Sequence, residues 1–201
     1  MIAINKQVVK EYVDIILILD MSGSMDIIKY ATIASVNNFI DEQKNVGDNA
    51  LLTLTLFDTI QVNQYVRSLI TNVLHIDDFY KPSGRTALYD AIFDTIKLVE
   101  SKDIGNNKVI VVIVTDGENN ASLRHTLQDV SSLVDEKRKQ KWEFMFLGAN
   151  IDAFVEGSSL GVNSNNISQF DHTNDGVRHA FTTTSQNVTG YRMTNSPKLI
   201  R

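Results

Sequence analysis

With 201 residues, 43% of them hydrophobic and 21% charged, the chain has the make-up of one folded domain with a sizeable core, which excludes general disorder. A formal net charge of −5 leaves no basic footprint and argues against nucleic acid as a partner. The absence of cysteine removes disulfides, thiolate zinc sites and cysteine nucleophiles, so any chemistry must come from oxygen and imidazole.

The opening stretch MIAINKQVVKEYVD lacks the continuous apolar core of a signal peptide, and no apolar run reaches the length of a membrane span. A cytoplasmic protein without a membrane partner is therefore expected. Residues 13–19 are apolar on both faces and predict a fully buried strand that stops at Asp20. Ser22, Gly23 and Ser24 follow, and residues 26–44 carry Ile27, Ile28, Ala31, Ala34, Phe39 and Ile40 at helical spacing until Gly47. Residues 51–57 and 60–66, joined by Asp58 and Thr59, read as an edge hairpin. A short helix is predicted at 76–79. Pro82, Ser83 and Gly84 mark a loop, Thr86 stands at its end, and Ala87, Leu88, Ala91, Ile92, Ile96 and Val99 form the next helix face.

Residues 108–115, KVIVVIVT, repeat the logic of the first strand and end in Asp116-Gly117-Glu118. A helix is expected over 123–141, with Lys137, Arg138 and Lys139 in its last turns, where cations complement the dipole. Residues 142–147 read as a strand, 152–160 as a short helix, 167–170 as a short last strand and 175–192 as an amphipathic helix. A flexible tail is expected over 193–201. Strands alternating with helices imply one α/β domain over 1–192: a doubly wound, mostly parallel six-stranded sheet with one antiparallel edge strand and helices on both faces.

In such a sheet, ligands sit at the carboxyl ends of the strands, where Asp20 and Asp116 become neighbours and the loop before Thr86 can reach them. Two carboxylates with the hydroxyls of Ser22, Ser24 and Thr86, and no histidine near them in sequence, make a hard oxygen site. It would prefer Mg²⁺ or Mn²⁺, with Ca²⁺ behind, over imidazole-seeking metals. Each residue also has a plainer reading. Ser and Asp are good helix N-caps, Thr86 included. Asp58, Asp90 and Asp94 read as turn or solvated helix residues, and His75, His125, His172 and His179 as surface or packing residues. Met21 and Met25 read as core plugs, with contact to a partner as the alternative.

DMSGSM at 20–25, Thr86 in SGRTALYDAI and TDGE at 115–118 resemble the von Willebrand factor type A (vWA) domain with its metal-ion-dependent adhesion site, over about residues 12–148. The resemblance implies a Rossmann-like vWA fold. It also implies Ser22, Ser24 and Thr86 as direct metal ligands, with Asp20 and Asp116 acting directly or through water. The portion after 148 is similar to intracellular bacterial and phage members, including those of tellurite-resistance and stress operons. Where the family often has a small residue before the threonine, this chain has Arg85, which either discourages the metal or offers a fork to a partner's carboxylate.

The expected function is a non-enzymatic interaction module whose cation binds an Asp or Glu of another protein, with Met25, Arg85, Gly117 and Glu118 as the partner-binding rim. Two alternatives stand beside it. One is a Mg²⁺-dependent phosphatase or phosphoryl-transfer enzyme built on Asp20, although Ser22 stands where that chemistry wants a second Asp and no glycine-rich phosphate loop is present. The other is a structural assembly subunit with a degenerate metal site.

Overall fold

The computed structural model describes residues 11–194. In chain order its strands are β1 (Val13–Asp20), β2 (Ala50–Phe57), β3 (Gln61–Leu69), β4 (Lys108–Thr115), β5 (Glu143–Gly148) and β6 (Ile167–Gln169). They form one sheet in the order β3-β2-β1-β4-β5-β6, with β3 antiparallel to β2 and every other pairing parallel. This is the predicted mostly parallel sheet with one antiparallel edge. β1 is buried at all eight positions because it is central and covered on both faces, which is what a run without polar alternation requires.

Two helices, α1 (Lys29–Val46) and α5 (Asn174–Met193), cover one face. Three more, α2 (Leu88–Glu100), α3 (Leu127–Lys139) and α4 (Ala153–Ser159), cover the other. The pleat of β1 sorts its side chains between the two cores: Ile15, Leu17 and Leu19 pack with α1 and α5, while Ile16 and Ile18 pack with α2 and α3. Each is fully buried, and each contributes about 1.5–3 kcal/mol to the core.

Several boundaries differ from the sequence reading, each for a local reason. The helix expected from residue 26 begins as a 3₁₀ turn, Gly23–Ile28, and becomes α-helical only at Lys29. The short helix expected at 76–79 is a turn closed by Tyr80 N–H on the Ile76 carbonyl, and the 3₁₀ helix lies earlier, at Ile70–Asn72. The helix expected from 123 starts at Leu127, where Thr126 and Asp129 form a reciprocal capping box. Met193, assigned to the tail, closes α5; residues 195–201 lie outside the described ones.

One polar group interrupts the core of β1. Asp14, 1% exposed, accepts Nε and Nη2 of Arg67 at 2.7 and 3.2 Å and Nδ2 of Asn107 at 2.8 Å. Arg67 reaches across β2 from a bulge in β3, where the register shifts between Leu52 and Leu54 and Arg67 adopts φ 47°. Removing the guanidinium leaves a buried carboxylate without its counter-charge. Arg67→Ala should therefore lower stability by about 3–5 kcal/mol. A urea titration reads this as a fallen midpoint with an unchanged slope; a loss below about 1 kcal/mol contradicts the pairing as described.

Candidate metal centre

β1 pairs in register with β4, Leu19 opposite Val114, so the two strands end side by side. On one side of this junction the sheet continues through β2 and on the other through β5, which makes it the topological switch point. The Asp20 carboxylate is buried in the junction. Its Oδ1 accepts the Ser22 N–H at 2.7 Å and its Oδ2 accepts the Thr115 hydroxyl at 2.6 Å. Burial pushes its pKa up to about 6, against the downward pull of the Thr115 and Ser22 donors, and the charge of Asp116 adds to the rise. The buried Tyr80 hydroxyl donates to the main-chain carbonyl of Asp20 at 2.8 Å, fixing the strand end itself.

The Asp20–Ser22 hydrogen bond turns the chain so that the serine hydroxyls follow one another. Ser22 Oγ lies 3.2 Å from Ser24 Oγ, and Ser24 Oγ donates to Asp116 Oδ1 at 2.7 Å. Thr86 joins from the other side. Its N–H donates to Asn120 Oδ1 at 2.9 Å, its carbonyl accepts from Asn120 and Ala121, and its Oγ1 would lie 3.3 Å from a side chain at Gly117. Gly117 is thus bare where the threonine hydroxyl approaches. The loop before Thr86 is tied to the serine loop by Gly23 N–H on the Gly84 carbonyl at 3.2 Å. Gly84 has φ +67°, and a Cβ there would meet Thr59 Oγ1 at 2.7 Å, so only glycine suits the position.

Asp20, Ser22, Ser24, Thr86 and Asp116 are therefore gathered at one rim. Of the expected partner surface, Arg85 and Glu118 are exposed and Gly117 is half-buried. Arg85 donates through Nη2 to the Asn120 carbonyl and leaves the rest of its side chain in solvent. Met25 does not belong there: it is 0% exposed, a plug in the core shared with α1, because the 3₁₀ turn after Ser24 points it inward.

His172, read as a surface or packing residue, is largely buried, with its Nε2 2.8 Å from Asp116 Oδ2. The two atoms lack the alignment of a hydrogen bond, and both are buried without a hydrogen-bond partner. Nothing in the spacing announces this contact, because His172 lies in the loop between β6 and α5, far along the chain from Asp116. Tyr80, Asn120 and the Thr115 hydroxyl were also invisible as site residues. The signal for Thr115 was its place at a strand end beside Asp20; the other two carried none.

The donor set suits a small hard cation. Among the described residues no three His, Asp or Glu side chains are placed to hold a metal by themselves, so a cation here must be held through hydroxyl oxygens as well. The buried Asp116 Oδ2, which accepts no hydrogen bond and meets only His172 Nε2, is the atom such an ion would satisfy. A pocket of about 470 Å³ lies elsewhere, between β6 and α5, and none of these side chains lines it.

No protein-family model and no curated protein matches the chain. Solved structures do. The vWF domain of the type V pili tip protein Mfa5 from Porphyromonas gingivalis superposes with a TM-score of 0.68 at 11% identity, covering 94% of this chain and 99% of that one. The fold is vWA-like. The pilus adhesin SpaC from Lactobacillus rhamnosus GG gives a TM-score of 0.70 at 16% identity over 92% of this chain and 31% of its own. Proximal thread matrix protein 1 from the mussel byssus, solved with a zinc-occupied MIDAS motif, gives 0.64 at 16% identity, covering 90% and 46%. The chain thus spans about a third to a half of the length of SpaC and the byssus protein.

On this vWA-like frame the loop that carries Asn120 is tied to Thr86 at one end and to a buried carboxylate at the other. Asp90, which reads from sequence as a solvated helix residue, is 6% exposed and accepts the N–H groups of Leu123, Arg124 and His125 at 3.0, 3.1 and 2.9 Å. Burial alone raises its pKa, but these three donors, with Arg124 beside it, outweigh that and hold it below the ordinary carboxylate value. A depressed folded pKa adds stability that is present above the unfolded pKa of about 3.9 and disappears as pH falls through the folded one. Asp90→Asn should cost about 1–3 kcal/mol at pH 7 and remove this part of the acid-side slope. Thermal melts from pH 7 down to pH 3 test it. Equal losses at both ends of that range contradict the assignment.

Proposed function

We propose that the chain is a non-enzymatic interaction module that captures an acidic side chain of a partner protein through a divalent cation, Mg²⁺ or Mn²⁺ ahead of Ca²⁺. Ser22, Ser24, Thr86 and Asp116 hold the cation, with Asp20 acting directly or through water. The observation that carries this reading is the row of oxygens from Ser22 Oγ through Ser24 Oγ to Asp116 Oδ1, at 3.2 and 2.7 Å, ending beside a buried Oδ2 that accepts no hydrogen bond. Ligand oxygens around an ion with bonds of about 2.1 Å stand about 3 Å apart when they are neighbours in an octahedron. Hydroxyl ligands are neutral, so much of the ion's charge is left for a carboxylate arriving from outside.

The state of Asp20 supports binding over reaction. Both its oxygens already accept hydrogen bonds, from Ser22 and Thr115, which suits an anchor and leaves neither aimed at a substrate. Exposed apolar side chains stand at Ile27 in the 3₁₀ turn after the serines, at Tyr30 in the first turn of α1, at Ile60 in the hairpin turn and at Leu123 in the segment after β4, a surface fit for protein contact. The neighbouring structures add support by their names: a pilus adhesin, a pili tip protein, and a byssus protein with zinc in its MIDAS motif.

A cation at 100 times its Kd should stabilise the folded chain by about 2.7 kcal/mol. Ser22→Ala and Asp116→Ala should abolish that response in thermal melts with Mg²⁺ or Mn²⁺. The immobilised chain should also retain a protein from extracts of its native host in Mg²⁺ and release it in EDTA, with Asp20→Ala failing to retain it. A full cation response in Asp116→Ala, or retention indifferent to EDTA, would sink the proposal.

A further inference from the structure

His172 stands where neither the oxygen set nor a plain packing role explains it. Its loop is fixed at both ends. Phe170 N–H donates to the Gly148 carbonyl at 3.0 Å, and Thr173 caps α5 by accepting from Gly176 N–H. Gly176 lets that cap close tightly, because a Cβ there would run into the Asp171 carbonyl. The loop therefore delivers an imidazole to Asp116 in a set position, and does so on parallel strands whose carboxyl ends share the site's edge.

The contact itself is unusual. Nε2 and Oδ2 lie 2.8 Å apart, at ion-pair distance but without the alignment of a hydrogen bond, each buried and each without a hydrogen bond of its own. Two buried polar atoms at ion-pair distance but with no hydrogen bond between them leave bonding capacity unmet, at a cost of a few kcal/mol unless a third group meets both. A cation does that. Adjacent donors of an octahedral ion are separated by about 3 Å, which is the spacing observed here and also along the Ser22, Ser24 and Asp116 row.

We propose that His172 is a nitrogen ligand of the same cation site, adding an imidazole to the hydroxyl and carboxylate set and shifting the preference of the site from Mg²⁺ towards Mn²⁺, Co²⁺ and Zn²⁺. The inference rests on the cation-site reading above and extends it from the class of ion to the choice among ions. Imidazole binds these transition metals well and contributes little to Mg²⁺, which keeps oxygen ligands and waters. The site is thus a mixed oxygen and nitrogen centre.

The test is calorimetry of the full chain with Mg²⁺, Mn²⁺ and Zn²⁺, together with the visible absorption of the Co²⁺ form, for wild type, His172→Ala, His172→Gln and Ser22→Ala. Melts without metal check that each variant folds, and the glutamine variant keeps the volume if alanine does not. The expected result is a loss of about tenfold to a hundredfold in Zn²⁺ affinity and a changed Co²⁺ spectrum in both His172 variants, with Mg²⁺ affinity altered less than about threefold. Parallel changes for all ions, no change, or tighter Mg²⁺ binding in the variants would overturn the inference, the last by showing His172 to be a charge partner that competes with the ion. If Ser22→Ala leaves every ion unaffected, the cation site itself is wrong and both readings fall.

Discussion

A carboxylate buried between two parallel strands has to be met by donors from both, or it stays protonated. Asp20 is met in this way, by the Thr115 hydroxyl of the adjacent strand end and by the N–H of Ser22 two residues ahead. The second of these bonds has the larger consequence. It forces the chain to turn immediately after β1, which places Ser22 and Ser24 over the gap between β1 and β4 and starts the 3₁₀ segment that leads into α1. Hydroxyl placement and the entry of the first helix both follow from satisfying one buried group.

The other rim loops are built by the same device. Asp58 accepts Ile60 N–H within the hairpin turn and the Ser83 hydroxyl from the loop before Thr86. Asp90 gathers three successive N–H groups from the segment after β4. Carboxylates thereby stand in for the backbone partners that loops lack, and irregular segments are held as firmly as secondary structure. The proposed cation site, drawn from four loops, would need such fixing, since donors must be placed before an ion arrives. Loops tied in this way also leave their outer side chains free, as at Ile60 and Leu123.

Much of this was readable in the residues. Unbroken apolar runs at β1 and β4 announced buried strands, and an acid at the end of each marked the switch point, whereas the Leu and Thr alternation of β2 suggested a less buried face that the structure does not have: Thr53 and Thr55 are buried, and Thr55 is hydrogen-bonded to Thr95 and Asn63. The serine and threonine hydroxyls followed from spacing and loop position. What stayed hidden depended on long-range contact. Asp14 and Asp90 are polar residues in buried places, and their partners Arg67 and the 123–125 backbone carry no pattern that names them. Met25 could have faced either way until the 3₁₀ turn decided it. His172 was unreadable because a loop beyond a three-residue edge strand brings it to Asp116, and hydrophobic periodicity says nothing about loops.

The central claim is that these scattered side chains are one coordination shell. Diffraction from crystals grown with Mn²⁺, recorded at the manganese absorption edge, tests it most directly. The account predicts a single strong anomalous peak in bonding contact with Ser22, Ser24 and the Asp116 carboxylate, or with their bound waters, and beside Thr86. A peak confined to other carboxylates, or none here at saturating Mn²⁺ while Asp116 and His172 remain paired with each other, would contradict it.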